Sequence, residues 1–124
     1  MNPFVALSKL AEFVDPVLAM EVMVECGAES LEVGDILLYA GTYRPAGKII
    51  RIDPRTYFAA MALRMSRRFG FPPLTKRDAA LLTLLHEAKH CLEGDTIVTM
   101  DPTEREQRAD EFAVKRFLEL RSRR

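Results

Sequence analysis

The dipeptide Asp-Pro occurs three times in 124 residues, at Asp15-Pro16, Asp53-Pro54 and Asp101-Pro102. Each is a helix-start signal. The aspartate side chain can accept from free N–H groups of the first turn. Proline has the right φ for the first helical position, where its missing N–H is not needed. Thr75 with Asp78 makes a fourth start, a capping box with Asp in place of the usual Glu or Gln. Stop signals match: Gly27, Gly70 and Gly94 each follow an apolar-periodic stretch, and Pro72-Pro73 blocks continuation past Gly70. The punctuation predicts helices from Pro16 to Gly27, from about Tyr57 to Phe69, from Thr75 to about Leu92, and from Asp101 to about Leu120.

The remaining segments are shorter. Residues 3–14 carry Phe4, Val5, Leu7, Leu10, Ala11, Phe13 and Val14, a spacing that predicts a short amphipathic helix. Residues 36–39 and 48–53 have strand character and are separated by a loop over 40–47 with Gly41, Pro45 and Gly47. They read as an antiparallel pair, which must pack on helices to be stable. Residues 96–99 form a further β-prone stretch. The expected fold class is α+β, mainly helical with a small antiparallel sheet, in one domain over residues 1–124. The basic end, residues 121–124, is expected to fray.

Composition removes several function classes. Hydrophobic residues are 48% and charged residues 29%, so a packed core is affordable. Eighteen basic residues balance eighteen acidic ones. A zero net charge argues against a protein built to coat nucleic acid or an anionic membrane. No apolar run is long enough for a membrane span. Lys9, Glu12, Asp15 and Glu21 interrupt the N-terminal apolar residues, so that stretch does not read as a secretion signal. Cys26 and Cys91 read as reduced thiols, and a cytoplasmic location is expected. Met20, Met23, Met61 and Met65 read as core fillers. Arg64, Arg67, Arg68, Lys76 and Arg77 read as a solvated, charge-paired surface, with a nucleic-acid or acidic-partner patch as the other reading.

The chain has only two histidines, and both lie in His86-Glu87-Ala88-Lys89-His90. On a helix, positions i and i+4 share a face, so two imidazoles there can hold one metal ion. Glu87 projects about 100° away and can reach a water beside the metal without being a ligand. A catalytic zinc needs three protein ligands and one open position. With no third histidine, the remaining ligand is a carboxylate or Cys91. Cys91 is turned off the histidine face and reads as a small buried thiol. The carboxylate candidates are Glu93, Asp95, Asp101, Glu104, Glu106, Asp110 and Glu111. Glu93 is too near in sequence to swing back, and Asp101 is better used as a cap.

The last helix favours Glu106. Glu106, Asp110 and Ala113 share one stripe, and Ala109 or Ala113 would let two helices approach closely. Glu106 can then reach the metal, and Asp110 can accept from the outer nitrogen of a ligand histidine, fixing its tautomer. Glu104 and Glu111 fall on the wet face. Alone, Glu106 and Asp110 would read as solvated helix charges; next to the histidine pair they do not. Two histidines, one carboxylate and an adjacent glutamate favour zinc among divalent ions.

His-Glu-x-x-His followed by a Glu-x-x-x-Asp helix resembles the gluzincin metallopeptidases. The string Glu106-x-x-Ala109-Asp110-x-Phe112-Ala113 is similar to the ImmA/IrrE-type metallopeptidase domain, over about residues 80–118. The minigluzincins, compact enzymes with the same ligand set, are resembled equally. The resemblance implies a zincin-like fold with the sheet packed on the His-Glu-x-x-His helix, and metal-dependent endopeptidase activity on a protein or peptide. For ImmA/IrrE relatives it further implies cleavage of a helix-turn-helix repressor.

The expected machinery is zinc on His86, His90 and Glu106, with Glu87 as general base and later as proton donor to the leaving amine. Tyr39, Tyr43 and Tyr57 are candidates to assist the oxyanion, Tyr43 foremost because of its Gly-rich loop. A substrate strand is expected to add to an exposed edge at 36–39 or 48–53. Two alternatives stay open: a zinc-stabilised interaction module with little turnover, and a latent enzyme released by a regulatory partner.

Overall fold

The computed structural model describes residues 4–5, 14–33, 41–53, 58–70, 75–94 and 101–122. The described elements run β1 (Phe4–Val5), α1 (Pro16–Cys26), β2 (Ser30–Val33), β3 (Gly41–Arg44), β4 (Ile49–Ile52), α2 (Phe58–Phe69), α3 (Lys76–Glu93) and α4 (Pro102–Ser122). The fold is α+β, mainly helical among these residues.

Local signals set the helix ends. Asp15 Oδ1 accepts from Val17 N–H at 3.0 Å, and Pro16 follows in the first turn of α1. Gly27 ends α1 at φ 77°, a left-handed geometry that favours glycine, with its N–H donating to Met23 O. Thr75 and Asp78 close a reciprocal capping box, each bond 3.1 Å, at the start of α3. Asp101 Oδ2 accepts from Glu104 N–H at 3.1 Å at the start of α4. The cap at Asp53-Pro54 lies partly outside the described residues.

α3 is the centre of the molecule. It is buried almost all round, from Ala79 to Cys91, which is how a helix covered by neighbours on every side reads. It packs most extensively on α4, and also on α1, α2, β3 and β4. Phe117 and Met23 are the largest side chains closing this core, beside Leu31, Ile50, Ile52 and Leu82. Each such burial contributes ~1.5–3 kcal/mol. Of the methionines, Met23 and Met65 are fully buried and Met20 packs against the core; the Met61 side chain lies outside the described residues.

The sheet departs from the sequence expectation. Its order is β1-β2-β4-β3, and it is mixed, not purely antiparallel. β4 lies between β2, which runs parallel to it from Ser30↔Ile49 to Val33↔Ile52, and β3, which runs antiparallel from Gly41↔Ile52 to Arg44↔Ile49. The expected strand 48–53 is present as β4, but its antiparallel partner is residues 41–44, which the glycines and proline had marked as loop. The turn is confined to 45–48, with Lys48 N–H donating to Pro45 O at 3.1 Å. Gly47 and Lys48 there take φ 82° and 49°. Residues 36–39 and 96–99 lie outside the described residues.

One further expectation is corrected. Phe4 and Val5 are strand, paired in parallel with β2, and not the start of a helix; residues 6–13 lie outside the described residues. Residues 121–122 of the expected frayed end are the last of α4, and 123–124 lie outside the described residues. Arg121 lies over the Phe117 ring at 5.7 Å, a cation–π contact in the last turn. Among the described residues, no helix is long and apolar enough to cross a membrane.

Candidate metal centre

The centre sits between α3 and α4. Ala109 and Ala113, on the α4 face toward α3, are fully buried, and their small size brings the helices close enough for side chains to meet. His86 and His90 project from one face of α3, with ring centroids 4.9 Å apart in an edge-on contact. Glu106 of α4 bridges them. Its Oε2 is 2.8 Å from His86 Nε2, and its Oε1 is 3.2 Å from His90 Nε2. The two Nε2 atoms are 3.2 Å apart. His86, His90 and Glu106 therefore form a group that could hold a metal ion.

The separations test the fit. Ligands ~2.0–2.1 Å from a tetrahedral zinc stand ~3.3 Å from one another. The two Nε2 atoms stand 3.2 Å apart, close to that value; Glu106 meets them with different oxygens, at 2.8 Å and 3.2 Å, and one ligand atom from each residue lies within 4.8 Å of the others. Two nitrogens and a carboxylate oxygen are a suitable donor set for a borderline-soft divalent ion. The group fits.

Asp110 fills the place expected of it. The Nδ1–H of His86 donates to Asp110 Oδ1 at 2.8 Å, and Asp110 is buried. Two further donors arrive from α2. Arg64 donates to Oδ1 at 3.1 Å and Arg68 to Oδ2 at 2.8 Å. Sequence reading placed both arginines on a charge-paired surface and missed this destination. Their spacing of four on one helix was the available signal.

Glu87 is buried, and its Oε2 is 3.9 Å from His86 Nε2. β3 closes over it. A Cβ built on Gly41 would stand 2.7 Å from Thr83 Cγ2, 3.0 Å from Glu87 Cγ and 3.3 Å from Glu87 Oε2. Only glycine fits there without displacing the carboxylate or the residue one turn before it.

The charges are strongly coupled. Burial opposes a charge on His86, but hydrogen bonds to Asp110 and Glu106, with the nearby Glu87, carry its pKa up to about 9. Burial pushes Glu87 upward, against the pull of His86 and His90. Hydrogen bonds from His86 and His90 hold Glu106 well below the usual carboxylate range, although burial works against them. A bound cation would take over the role of the His86 proton.

Other candidates are elsewhere. Cys91 Sγ donates to Cys26 O at 3.2 Å, off the cage. Glu104 and Glu111 are exposed as expected, and Asp101 serves as a cap. Tyr43 is not on a mobile loop: it sits on β3, half-buried against the core. Tyr39, Tyr57 and Asp95 lie outside the described residues. β4 is interior to the sheet, so 48–53 offers no edge; β3 is the edge strand, unpaired on its outer side among the described residues. Comparison with family models, curated proteins and solved structures found no match.

Proposed function

We propose that the chain is a zinc-dependent endopeptidase of the gluzincin kind, resembling the ImmA/IrrE domain and the minigluzincins. The observation that carries this reading is the buried Glu87 carboxylate beside a His86–His90–Glu106 cage. A metal kept only for stability has no use for a glutamate held there. His86, His90 and Glu106 would hold the ion, which when bound supplies Lewis acidity for activating water and polarising a carbonyl.

Glu87 takes a proton from the attacking water and later delivers it to the leaving amine. Its burial favours the neutral acid, against the pull of His86 and His90, and so raises its basicity. Asp110 fixes the proton of His86 on Nδ1, leaving Nε2 as the donor toward the cage. Gly41 lets β3 lie against Glu87, so a peptide added along the outer edge of β3 would run beside the base. A regulatory protein such as a helix-turn-helix repressor is the substrate class the resemblance suggests.

The test compares native chain with Glu87→Gln for bound zinc and for cleavage of unfolded proteins and repressors. Equal zinc in both, with hydrolysis lowered roughly 10²–10⁴-fold in the variant, is the expected result. Unchanged cleavage by Glu87→Gln overturns the general-base role. Full zinc in both with no cleavage of any substrate leaves the zinc-stabilised interaction module in its place.

A further inference from the structure

Asp110 has more partners than anchoring one imidazole requires. Its side chain is 4% exposed, yet both oxygens are engaged by cations from a third helix. Oδ1 is shared between His86 Nδ1 and Arg64, and Oδ2 is taken by Arg68. The guanidiniums reach in from the surface, 47% and 32% exposed, from one face of α2. Arg68 also comes within 3.7 Å of Glu111.

A buried carboxylate that met only a neutral N–H would be poorly compensated and free to pivot. Two guanidiniums on different oxygens remove that freedom and offset its charge. The ring of His86 is then aimed by a carboxylate that is itself aimed. We infer that Arg64 and Arg68 are positioning residues of the metal centre, acting through Asp110 on the orientation and tautomer of His86. The inference rests on the reading of the cage as a metal site. It makes α2 part of the centre, although α2 contributes no residue to the cage. The competing explanation is a tether: the arginines hold α2 on α4 and leave the cage indifferent.

Zinc competition titrations separate the two, run where every variant is folded by circular dichroism. Replacing both arginines by glutamine should weaken zinc binding roughly 10-fold, the lower end for partners of a ligand histidine. In an Asp110→Asn background the same replacements should cause no further loss, because the path through Asp110 is already cut. Arg68→Lys, which keeps the charge but not the planar fork, should recover part of the Arg68→Gln loss. Arg67→Gln, which removes the same charge from an exposed site on the same helix, should leave zinc affinity unchanged.

A lower melting temperature with native zinc affinity would show a tether and overturn the inference. So would an equal loss in the Asp110→Asn background, or a similar loss in Arg67→Gln. A native chain that binds no zinc overturns the metal reading itself, and this inference with it. Zinc bound natively and insensitive to the arginines overturns only this inference.

Discussion

His86 and His90 stand one turn apart on α3 and meet the same carboxylate, but their outer nitrogens are treated differently. Nδ1 of His86 donates to a buried aspartate held by two guanidiniums. Nδ1 of His90 is also buried, yet has no hydrogen-bond partner among the described residues. A directional bond fixes both the tilt and the tautomer of the first ring. Among the described residues, the second is held by its helix and by packing. The cage thus has one post fixed by charge and one placed by the backbone.

The largest test of that contrast removes the posts themselves. Either His86→Ala or His90→Ala leaves two of three ligands. Each should lower zinc affinity by more than ~100-fold, beyond the range for partners outside the cage. A chelator competition titration reads this, and a His90 variant with native affinity would remove that residue from the cage. Next in size is Asp110→Asn, which touches only the anchored post. A loss of roughly 10–100-fold in zinc affinity is expected. Native affinity would mean that the hydrogen bond to Nδ1 is dispensable and the two posts are equivalent.

Proton competition gives a graded effect, about tenfold at each step. His86 is carried to about 9, so at neutral pH zinc must displace its proton. Apparent affinity should rise about tenfold per pH unit from 7 toward 9, then level. Calorimetry in buffers of different ionisation enthalpy should show proton release at pH 7. The metal-free chain has the opposite trend in stability. His86 binds its proton more tightly folded than unfolded, so its contribution is full below 6.5 and is lost as pH rises through about 9. The stabilisation conferred by zinc should therefore widen across that window in thermal melts with and without chelator.

The smallest effect concerns the strand side of the centre. Gly41→Ala forces a Cβ to within 2.7 Å of Thr83 Cγ2. Destabilisation of ~1–3 kcal/mol in urea titrations is expected, with the zinc ligands untouched. A neutral result would show that β3 yields easily, and that its closeness to Glu87 does not constrain the base.

Much of the centre was legible in the sequence because its parts are local. His86, Glu87 and His90 lie within five residues of one helix, and Glu106 and Asp110 within five of another. Helical periodicity alone places each set on a face. Asp15, Thr75 with Asp78, and Asp101 cap their helices as read, because capping bonds span two or three residues. The sheet was read poorly for the converse reason. β2 pairs with β4 across almost twenty residues, and no local pattern in Ser30–Val33 announces that partner. By local pattern Gly41 reads as a loop breaker, whereas its missing side chain is what lets a strand approach Glu87. Arg64 and Arg68 looked like surface charges because their partner lies more than forty residues away.

The sequence by itself determined the helices and the faces on which the candidate ligands His86, His90 and Glu106 stand, since capping bonds and side-chain spacing within a few residues specify both. Only the tertiary structure decided that α2 reaches the centre through Asp110, that β3 is the edge beside Glu87, and that His86 is anchored differently from His90 among the described residues. Those are choices among distant partners. They follow from how the buried faces of the four described helices and a mixed sheet fit together, and no short stretch of chain encodes that fit.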